Sequence, residues 1–441
     1  MVEVQPLLAP DYNTLILPIL RLLGMPKTAY PLLPLNGIFA INKPSGPTSM
    51  ALITRLKPMF SASRLFASEN QLERLKTSSG TGKKAYPGPT QSGELTGKDR
   101  NKGKKRGERT NWKKLSRQYV KMGSGGTLDP LANGVLIIGI GDGTKHLGQF
   151  LDCYKTYRTR GLLGCETDSY DSEGSLIRIA AWKHVNRALL LSKLDRFRGD
   201  IMQTPPIYSA LKVDGRPLYE YARQNIPLPR PIEARKVTIS SIDLTAFTPS
   251  THHQFRFPSK RLDDDRKREL EKISALIAEK AQESQSATNE IQGDVNSDII
   301  NVLPVSGTNE RSSPHGSVGE VPGEEVPPIF ELEMTVSSGT YVRSIVHDLG
   351  IAVGSAAHVV VLTRTRQGEF VLHEETAETA DHEGGTVERR GLPCVEWSVL
   401  EGALEKWEAD EDIDVDADGW TEWELEILNK WPDQTEMMHL P

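Results

Sequence analysis

The chain has 441 residues, enough for about three domains or for one large domain carrying insertions. Hydrophobic residues make up 37% of it and charged residues 25%, below the apolar share of a fully packed globule, so part of the chain is expected to stay outside any core and a membrane transporter is excluded. The net charge of −6 gives no general support to nucleic-acid binding, but the charges are unevenly placed.

Taken in chain order, Leu15 to Met25 is the greasiest stretch near the N-terminus. Pro18 and Arg21 interrupt it, it falls well short of the roughly 20 apolar residues that cross a bilayer, and Glu3 and Asp11 precede it. Neither a membrane span nor an export signal is expected there. From Phe60 to Lys121 the composition turns to Ser, Gly, Lys and Arg, with a basic run from Lys98 to Arg117 that reads as a solvated linker or a nuclear address. Val135 to Ile140 is a continuous apolar run closed by Gly141-Asp142-Gly143, which predicts a buried strand and a turn. A second strand is expected over Tyr154 to Leu163, and a helix over Trp182 to Arg198, stopped by Gly199. Pro258 to Pro328 is charged, then rich in Ser, Gly, Pro and Glu, and reads as an insertion. Ile329 to Val336 alternates, with Phe330, Leu332, Met334 and Val336 on one face, as a half-buried strand does. Beyond Gly391 the chain is acidic yet keeps Trp397, Trp407, Trp420, Trp423 and Trp431. Cys153, Cys165 and Cys394 form no CxxC pair and no even framework, so free thiols are expected and a zinc module is not.

Three places carry candidate chemistry. In Gly123-Ser124-Gly125-Gly126-Thr127-Leu128-Asp129-Pro130 a single carboxylate ends a glycine-rich loop; it is either a catalytic acid or the cap of a turn over Pro130 to Asn133. After Ser337-Ser338-Gly339, Thr340 is a good N-cap for a helix in which Tyr341, Ile345 and Leu349 repeat at four-residue spacing. Arg343 then falls in the first turn, where a cation is unfavourable unless an anion holds it. Tyr157 has Thr159 and Gly161 on its own strand face, which predicts open space beside the ring where a flat base stacks. Gly80-Thr81-Gly82-Lys83-Lys84 lacks the first glycine and the hydroxyl residue of a phosphate loop. Asp414-Val415-Asp416-Ala417-Asp418-Gly419 opens like a calcium loop but has Leu425 at the twelfth position. Asp168, Asp171 and Glu173 read as a polar turn more readily than as metal ligands.

Together these motifs resemble the TruB-type tRNA pseudouridine synthases, in particular the stand-alone eukaryotic members that modify uridine-55 of the T loop. The resemblance runs in order through Asn42-Lys43-Pro44-Ser45-Gly46, Gly125 to Ala132, Gly143-Thr144-Lys145, Lys155-Thr156-Tyr157, Phe197-Arg198-Gly199-Asp200, Tyr208 to Lys212, Leu218 to Arg223 and Ser338 to Arg343. It implies an α+β fold with a central mixed, largely antiparallel sheet flanked by helices and interrupted by two low-complexity insertions. It implies isomerisation of uridine without metal or cofactor, on a base flipped out of the folded T loop. Asp129 matches the essential aspartate, Arg343 the arginine that pairs with it, and Tyr157 the tyrosine that stacks on the base and is a candidate for removing the C5 proton. Lys43, Lys145, Lys212 and Tyr341 match positions near RNA or the active-site framework. Relatives carry His where this chain has Ser124, a residue associated with evicting the base.

The expected organisation is an N-terminal extension over 1–35, a catalytic domain over 36–250 holding a basic insertion at 60–118, a charged insertion over 251–328, the second part of the catalytic domain over 329–375, and an acidic Trp-containing region over 376–441. The expected partner is the T-arm of tRNA, bound by a monomer with no membrane association, in nucleus, mitochondrion or cytoplasm. Two other readings stay open: a guide-RNA-dependent enzyme of the dyskerin type, and a tRNA-binding or tRNA-folding protein with weak or lost catalysis.

Overall fold

The computed structural model describes residues 33–78, 119–224, 226–249, 252–262, 326–373, 376–380 and 386–432. The greasy stretch Leu15–Met25, the glycine motif at Gly80, the basic run Lys98–Arg117 and most of the 258–328 insertion lie outside the described residues. In chain order the elements are β1 (Gly37–Lys43), α1 (Ser49–Ser61), α2 (Glu69–Ser78), β2 (Met122–Ser124), β3 (Asn133–Ile140), α3 (Gln149–Asp152), β4 (Lys155–Leu163), β5 (Cys165–Thr167), β6 (Leu176–Ile179), α4 (Arg187–Leu194), β7 (Gly199–Gln203), β8 (Lys212–Val213), β9 (Arg216–Pro217), α5 (Leu218–Gln224), β10 (Arg235–Thr248), β11 (Ile329–Val336), α6 (Val342–Ala352), β12 (Ala357–Gln367), β13 (Phe370–Val371), β14 (Thr376–Ala380), β15 (Thr386–Arg390), β16 (Leu392–Pro393), α7 (Trp397–Glu408) and α8 (Glu422–Asn429).

A 10-stranded sheet organises the molecule, with the path β1-β3-β12-β4-β11-β10-β7. Its neighbours are antiparallel except β3 and β12, which run parallel at Asn133–Gly134 against Thr363–Arg364, and the short pair β13 and β16 at its margin. The architecture is therefore α+β, with a mixed and largely antiparallel sheet. The continuous apolar run of β3 exists because both of its faces are covered: Leu136, Ile138 and Ile140 join the main core, whereas Val135 and Ile137 join a second cluster with Leu147, Phe150 and Phe370. β11 alternates because one face is covered along its length, while beyond Ile329 the other stays half-exposed. Phe330, Leu332, Met334 and Val336 enter the main core, while Glu331 and Glu333 pair across the strand with Arg160 at 2.6 Å and Arg158 at 2.8 Å.

Two glycines fix how closely the strands and rings approach. Gly134 (φ +102°) lies where β3 meets β12, and a Cβ there would stand 2.2 Å from the Arg364 carbonyl oxygen. Gly161 faces Phe330 across β4 and β11, and its missing side chain is the place the phenyl ring occupies. The space that Gly161 was expected to leave on the Tyr157 face is thus taken by Phe330, while Thr159 is buried with its hydroxyl donating to the Val361 carbonyl at 2.9 Å.

Helices cover the main-core face. α1 contributes Leu52, Ile53, Leu56, Met59 and Phe60, and α6 contributes Val342, Ile345, Val346 and Leu349. The acidic C-terminal stretch packs on α1: Trp423 stacks on Phe60 with centroids 5.1 Å apart, Trp431 meets Phe39 at 5.6 Å, and the Arg64 guanidinium lies 4.0 Å over Trp420. Two of its acids are paired there, Glu408 with Arg55 at 2.7 Å and Glu424 with the Ser63 hydroxyl. The helix expected from Trp182 begins only at Arg187, because the Asn186 side chain accepts from the Leu189 amide at 2.9 Å and caps it. It ends in a tighter turn over Asp195–Phe197 before Gly199 opens β7. No helix among the described residues is long and apolar enough to cross a membrane.

Candidate active site

The Asp129 loop is held from below by the chain that leaves β1. The Ser49 hydroxyl, buried at the start of α1, accepts from the Leu128 amide at 3.0 Å and donates to the Leu128 carbonyl at 3.3 Å. The Lys43 ammonium is fully buried and donates to the carbonyls of Pro44, Pro130 and Ala132 at 2.8, 3.3 and 2.6 Å. Burial lowers its pKa to about 8, aided by the nearby Arg364 cation and resisted by the Asp129 carboxylate. The Ala132 amide donates to the Asp129 carbonyl at 3.1 Å, which closes a turn with Pro130 at its second position. Residues 130–132 form no helix, and the Asp129 carboxylate turns instead to Arg343.

Arg343 is 3% exposed and makes three directed contacts: Nε to Asp129 Oδ2 at 2.8 Å, Nη1 to the Ser169 carbonyl at 2.6 Å and Nη2 to the Tyr208 carbonyl at 2.8 Å. A second carboxylate, Asp171, lies 3.7 Å from Nε. These are the anions that the sequence position demanded, since a buried cation in the first turn of α6 sits against the positive end of the helix. Burial works against the charge of Arg343, but Asp129 and Asp171 outweigh it and hold the guanidinium as a cation. Burial pushes the Asp171 carboxyl above the usual range, and Arg343 and the Ser169 hydroxyl only partly offset this. Thr340 is not the cap expected of it: α6 begins at Val342, and the Thr340 hydroxyl donates back to the Ser337 carbonyl at 2.9 Å. The end of the helix is tied by Gln203, whose Oε1 accepts from the Tyr341 amide at 2.7 Å and whose Nε2 donates to the Tyr341 carbonyl at 3.1 Å.

Tyr157 is 9% exposed and belongs to the main core. Its hydroxyl is 3.5 Å from Nη1 of Arg364, a guanidinium only 1% exposed that also donates from Nε to the Val135 carbonyl at 2.8 Å. Nη2 of Arg364 is buried without a hydrogen-bond partner. Lys43 feels both Asp129 and Arg364, so Tyr157, Arg364, Lys43 and Asp129 share one neighbourhood. Of the other expected residues, Tyr341 joins the site through its backbone as the residue just before α6. Lys212 is exposed in the two-residue strand β8, four positions beyond Tyr208. Lys145 is paired with Asp142 at 2.5 Å beyond the far end of β3, roughly 23 Å of strand away from the Asp129 turn. Ser124 ends β2, half-exposed and paired in register with Ile138.

The sequence reading did not assign Asp171 or Arg364 to the site. Asp171 reads from sequence as part of an ordinary polar turn, and its carboxylate lies in the Arg343 cluster, 3.7 Å from Nε. Arg364 gave no signal either, because an arginine in the strand pattern of β12 reads as solvent-facing.

The chain's residues 80–261 match the family model described as TruB family pseudouridylate synthase, N-terminal domain. It is 37% identical over 359 residues to tRNA pseudouridine synthase 4 of Schizosaccharomyces pombe, covering 77% of this chain and 80% of that protein. It is 35% identical to tRNA pseudouridine synthase 4 of Saccharomyces cerevisiae, covering 77% and 79%. To the human pseudouridylate synthase TRUB1 it is 29% identical, covering 78% of this chain and 64% of that protein. With the Asp129–Arg343 pair at the centre of the site and relatives of this similarity along most of their length, the chain belongs to the TruB family of pseudouridine synthases.

Proposed function

We propose that the chain isomerises a uridine of the tRNA T loop, at position 55, to pseudouridine, with Asp129 as the nucleophile. The observation that carries this reading is the asymmetric ion pair: Arg343 is buried at 3% side-chain exposure, while its partner Asp129 keeps 35% and so can meet a substrate. The guanidinium, 2.8 Å from Oδ2, fixes the orientation of the carboxylate that acts as nucleophile.

The reaction balances within the substrate once the carboxylate is released. The C1′–N1 bond breaks as the Asp129 carboxylate bonds to C1′, the uracil turns, C5 bonds to C1′ as the carboxylate leaves it, the C5 proton departs and N1 gains one. Uracil carries negative charge once detached, and the Arg343 and Lys43 cations near the Asp129 carboxylate are the groups we assign to offset it. We assign Tyr157 to meet the flipped base and to remove the C5 proton, its hydroxyl oxygen taking that proton as it passes its own on.

Purified chain is incubated with a tRNA transcript carrying tritium at uracil C5, without guide RNA. Release confined to position 55, and at least about a thousandfold slower release by Asp129→Asn at equal folding, are the expected results. Release that needs an added guide RNA points to the dyskerin-type reading, tight binding with no release points to an RNA-folding role, and an Asp129→Asn protein of normal rate ends the nucleophile assignment.

A further inference from the structure

We propose that His347 and Tyr170 form a clamp that sets the orientation of Arg343, and through it Asp129, so that both are positioning residues for the isomerisation; the inference rests on the function proposed above.

Ser169 and Asp171 both meet Arg343, one through its carbonyl and the other through its carboxylate. The residue between them, Tyr170, has φ 63°, a left-handed conformation that bulky side chains rarely adopt and that persists only where the surroundings impose it. The surroundings are visible. The Tyr170 carbonyl accepts from the Val359 amide at 2.9 Å, its own amide donates to the Thr167 carbonyl at 3.2 Å, and its ring stacks on the His347 imidazole with centroids 3.9 Å apart and planes at 20°. His347 lies on α6 one turn beyond Arg343. The ring stack therefore pins the chain reversal at Tyr170 to the helix that carries Arg343, and the reversal turns Ser169 and Asp171 towards the guanidinium.

The imidazole itself is fixed from both sides. Nδ1 is 2.9 Å from Asp348 Oδ1 and Nε2 is 3.2 Å from Glu166 Oε1. A carboxylate at each nitrogen requires both nitrogens to donate, which makes His347 an imidazolium and its stack on Tyr170 a cation–π contact. The charged and titratable groups around it are Asp348 on its own helix, Glu166 on β5 with its partner Arg178 on β6, the Tyr170 phenol, and Arg343 one turn away. Burial acts to lower the pKa of His347, but the two carboxylates prevail and raise it to about 9. His347 and Tyr170 touch neither Asp129 nor its carboxylate partner atoms directly and act through Arg343.

The test compares Tyr170→Phe, which keeps the ring, Tyr170→Gly, which accepts the left-handed backbone but removes the ring, and His347→Gln, with wild type and Asp129→Asn in the same series. Single-turnover tritium release at saturating tRNA transcript, transcript affinity and thermal unfolding are measured for each. Tyr170→Phe is expected to react at close to the wild-type rate, and Tyr170→Gly and His347→Gln to lose roughly 10- to 100-fold in rate with affinity within about twofold of wild type. A folded Tyr170→Gly or His347→Gln protein of wild-type rate overturns the clamp, and so does a Tyr170→Phe protein as slow as the glycine variant. Wild-type protein that releases no tritium refutes the proposed reaction, and the clamp is then decided by NMR titration of the His347 imidazole. A midpoint near pH 9 that falls in Tyr170→Gly supports it, and a midpoint at the ordinary value of histidine overturns it.

Discussion

Replacing Arg343 by Met removes a cation from a place where two backbone carbonyls and a buried carboxylate depend on it. Asp171 keeps only 6% side-chain exposure and loses its opposite charge; breaking a buried pair in this way costs about 3–5 kcal/mol. The carbonyls of Ser169 and Tyr208 lose donors at 2.6 and 2.8 Å, a loss of about 1 kcal/mol each where no water replaces them. Asp129, at 35% exposure, is relieved by water and adds little. The total is bounded because Asp171, already raised by burial, rises further and takes up a proton, so the variant should lose about 3–5 kcal/mol in urea unfolding at unchanged m-value. The pH dependence has a definite sign. A carboxyl whose folded pKa is raised above its unfolded value destabilises the fold as pH climbs through the folded value, so the deficit of Arg343→Met should be larger at pH 8 than at pH 5. Arg343→Lys keeps the charge but cannot reach three acceptors with one ammonium; it should recover much of the stability and little of the single-turnover rate. An Arg343→Met protein within about 1 kcal/mol of wild type, with no pH dependence of the difference, would refute the claim that this cation offsets the burial of the Asp171 carboxyl.

Gly134→Ala should cost at least about 2 kcal/mol in urea unfolding, because its Cβ would stand 2.2 Å from the Arg364 carbonyl at φ +102°; a loss under about 0.5 kcal/mol would mean that β3 and β12 separate easily. Trp423→Ala removes the ring stacked 5.1 Å from Phe60 and should lower stability by about 3–5 kcal/mol with a clear drop in Tm, whereas an unchanged melt would show that the C-terminal helices do not dock on α1. Two buried histidines shape the pH profile in opposite directions. His358 is held neutral by burial, at about 4, with Nδ1 donating to the Cys165 carbonyl at 3.0 Å, so stability should fall as pH drops from about 6.5 towards 4, where the unfolded chain takes up a proton and the folded one does not. His347, raised to about 9, stabilises fully below its ordinary pKa and should lose up to roughly 3 kcal/mol as pH rises through 9. Urea midpoints between pH 4 and 10 test both, and a level profile in either arm removes the corresponding assignment.

What could be read from the sequence follows from the range over which each signal acts. The strands β3 and β11 were legible because burial of one face or two writes itself into residues one or two positions apart, and Val135–Ile140 and Ile329–Val336 fall within the strands observed. Helix ends were less legible, since Asn186 and Thr340 are both good caps by residue type and the outcome was decided by tertiary partners, Gln203 holding the Tyr341 amide while the Thr340 hydroxyl turned back to Ser337. The open face expected at Tyr157 failed for a related reason: Gly161 signals missing volume, and only the register of β11 decides that Phe330 fills it. Asp129 and Arg343 stand 214 positions apart, and composition or periodicity cannot join them, yet the physical anomaly of each was local. A lone carboxylate on a glycine loop lacked a reason, and a first-turn arginine lacked an anion. Asp171 and His347 carried no such anomaly, because an aspartate in a polar turn and a histidine on a helix are each unremarkable until the fold brings two elements together. The site was therefore visible where a residue violates a local rule and hidden where it obeys one. The residues that support a reactive pair, which need only pack and pair correctly, belong to the hidden class, and substitution of Tyr170 or His347 should show in rate before it shows in binding.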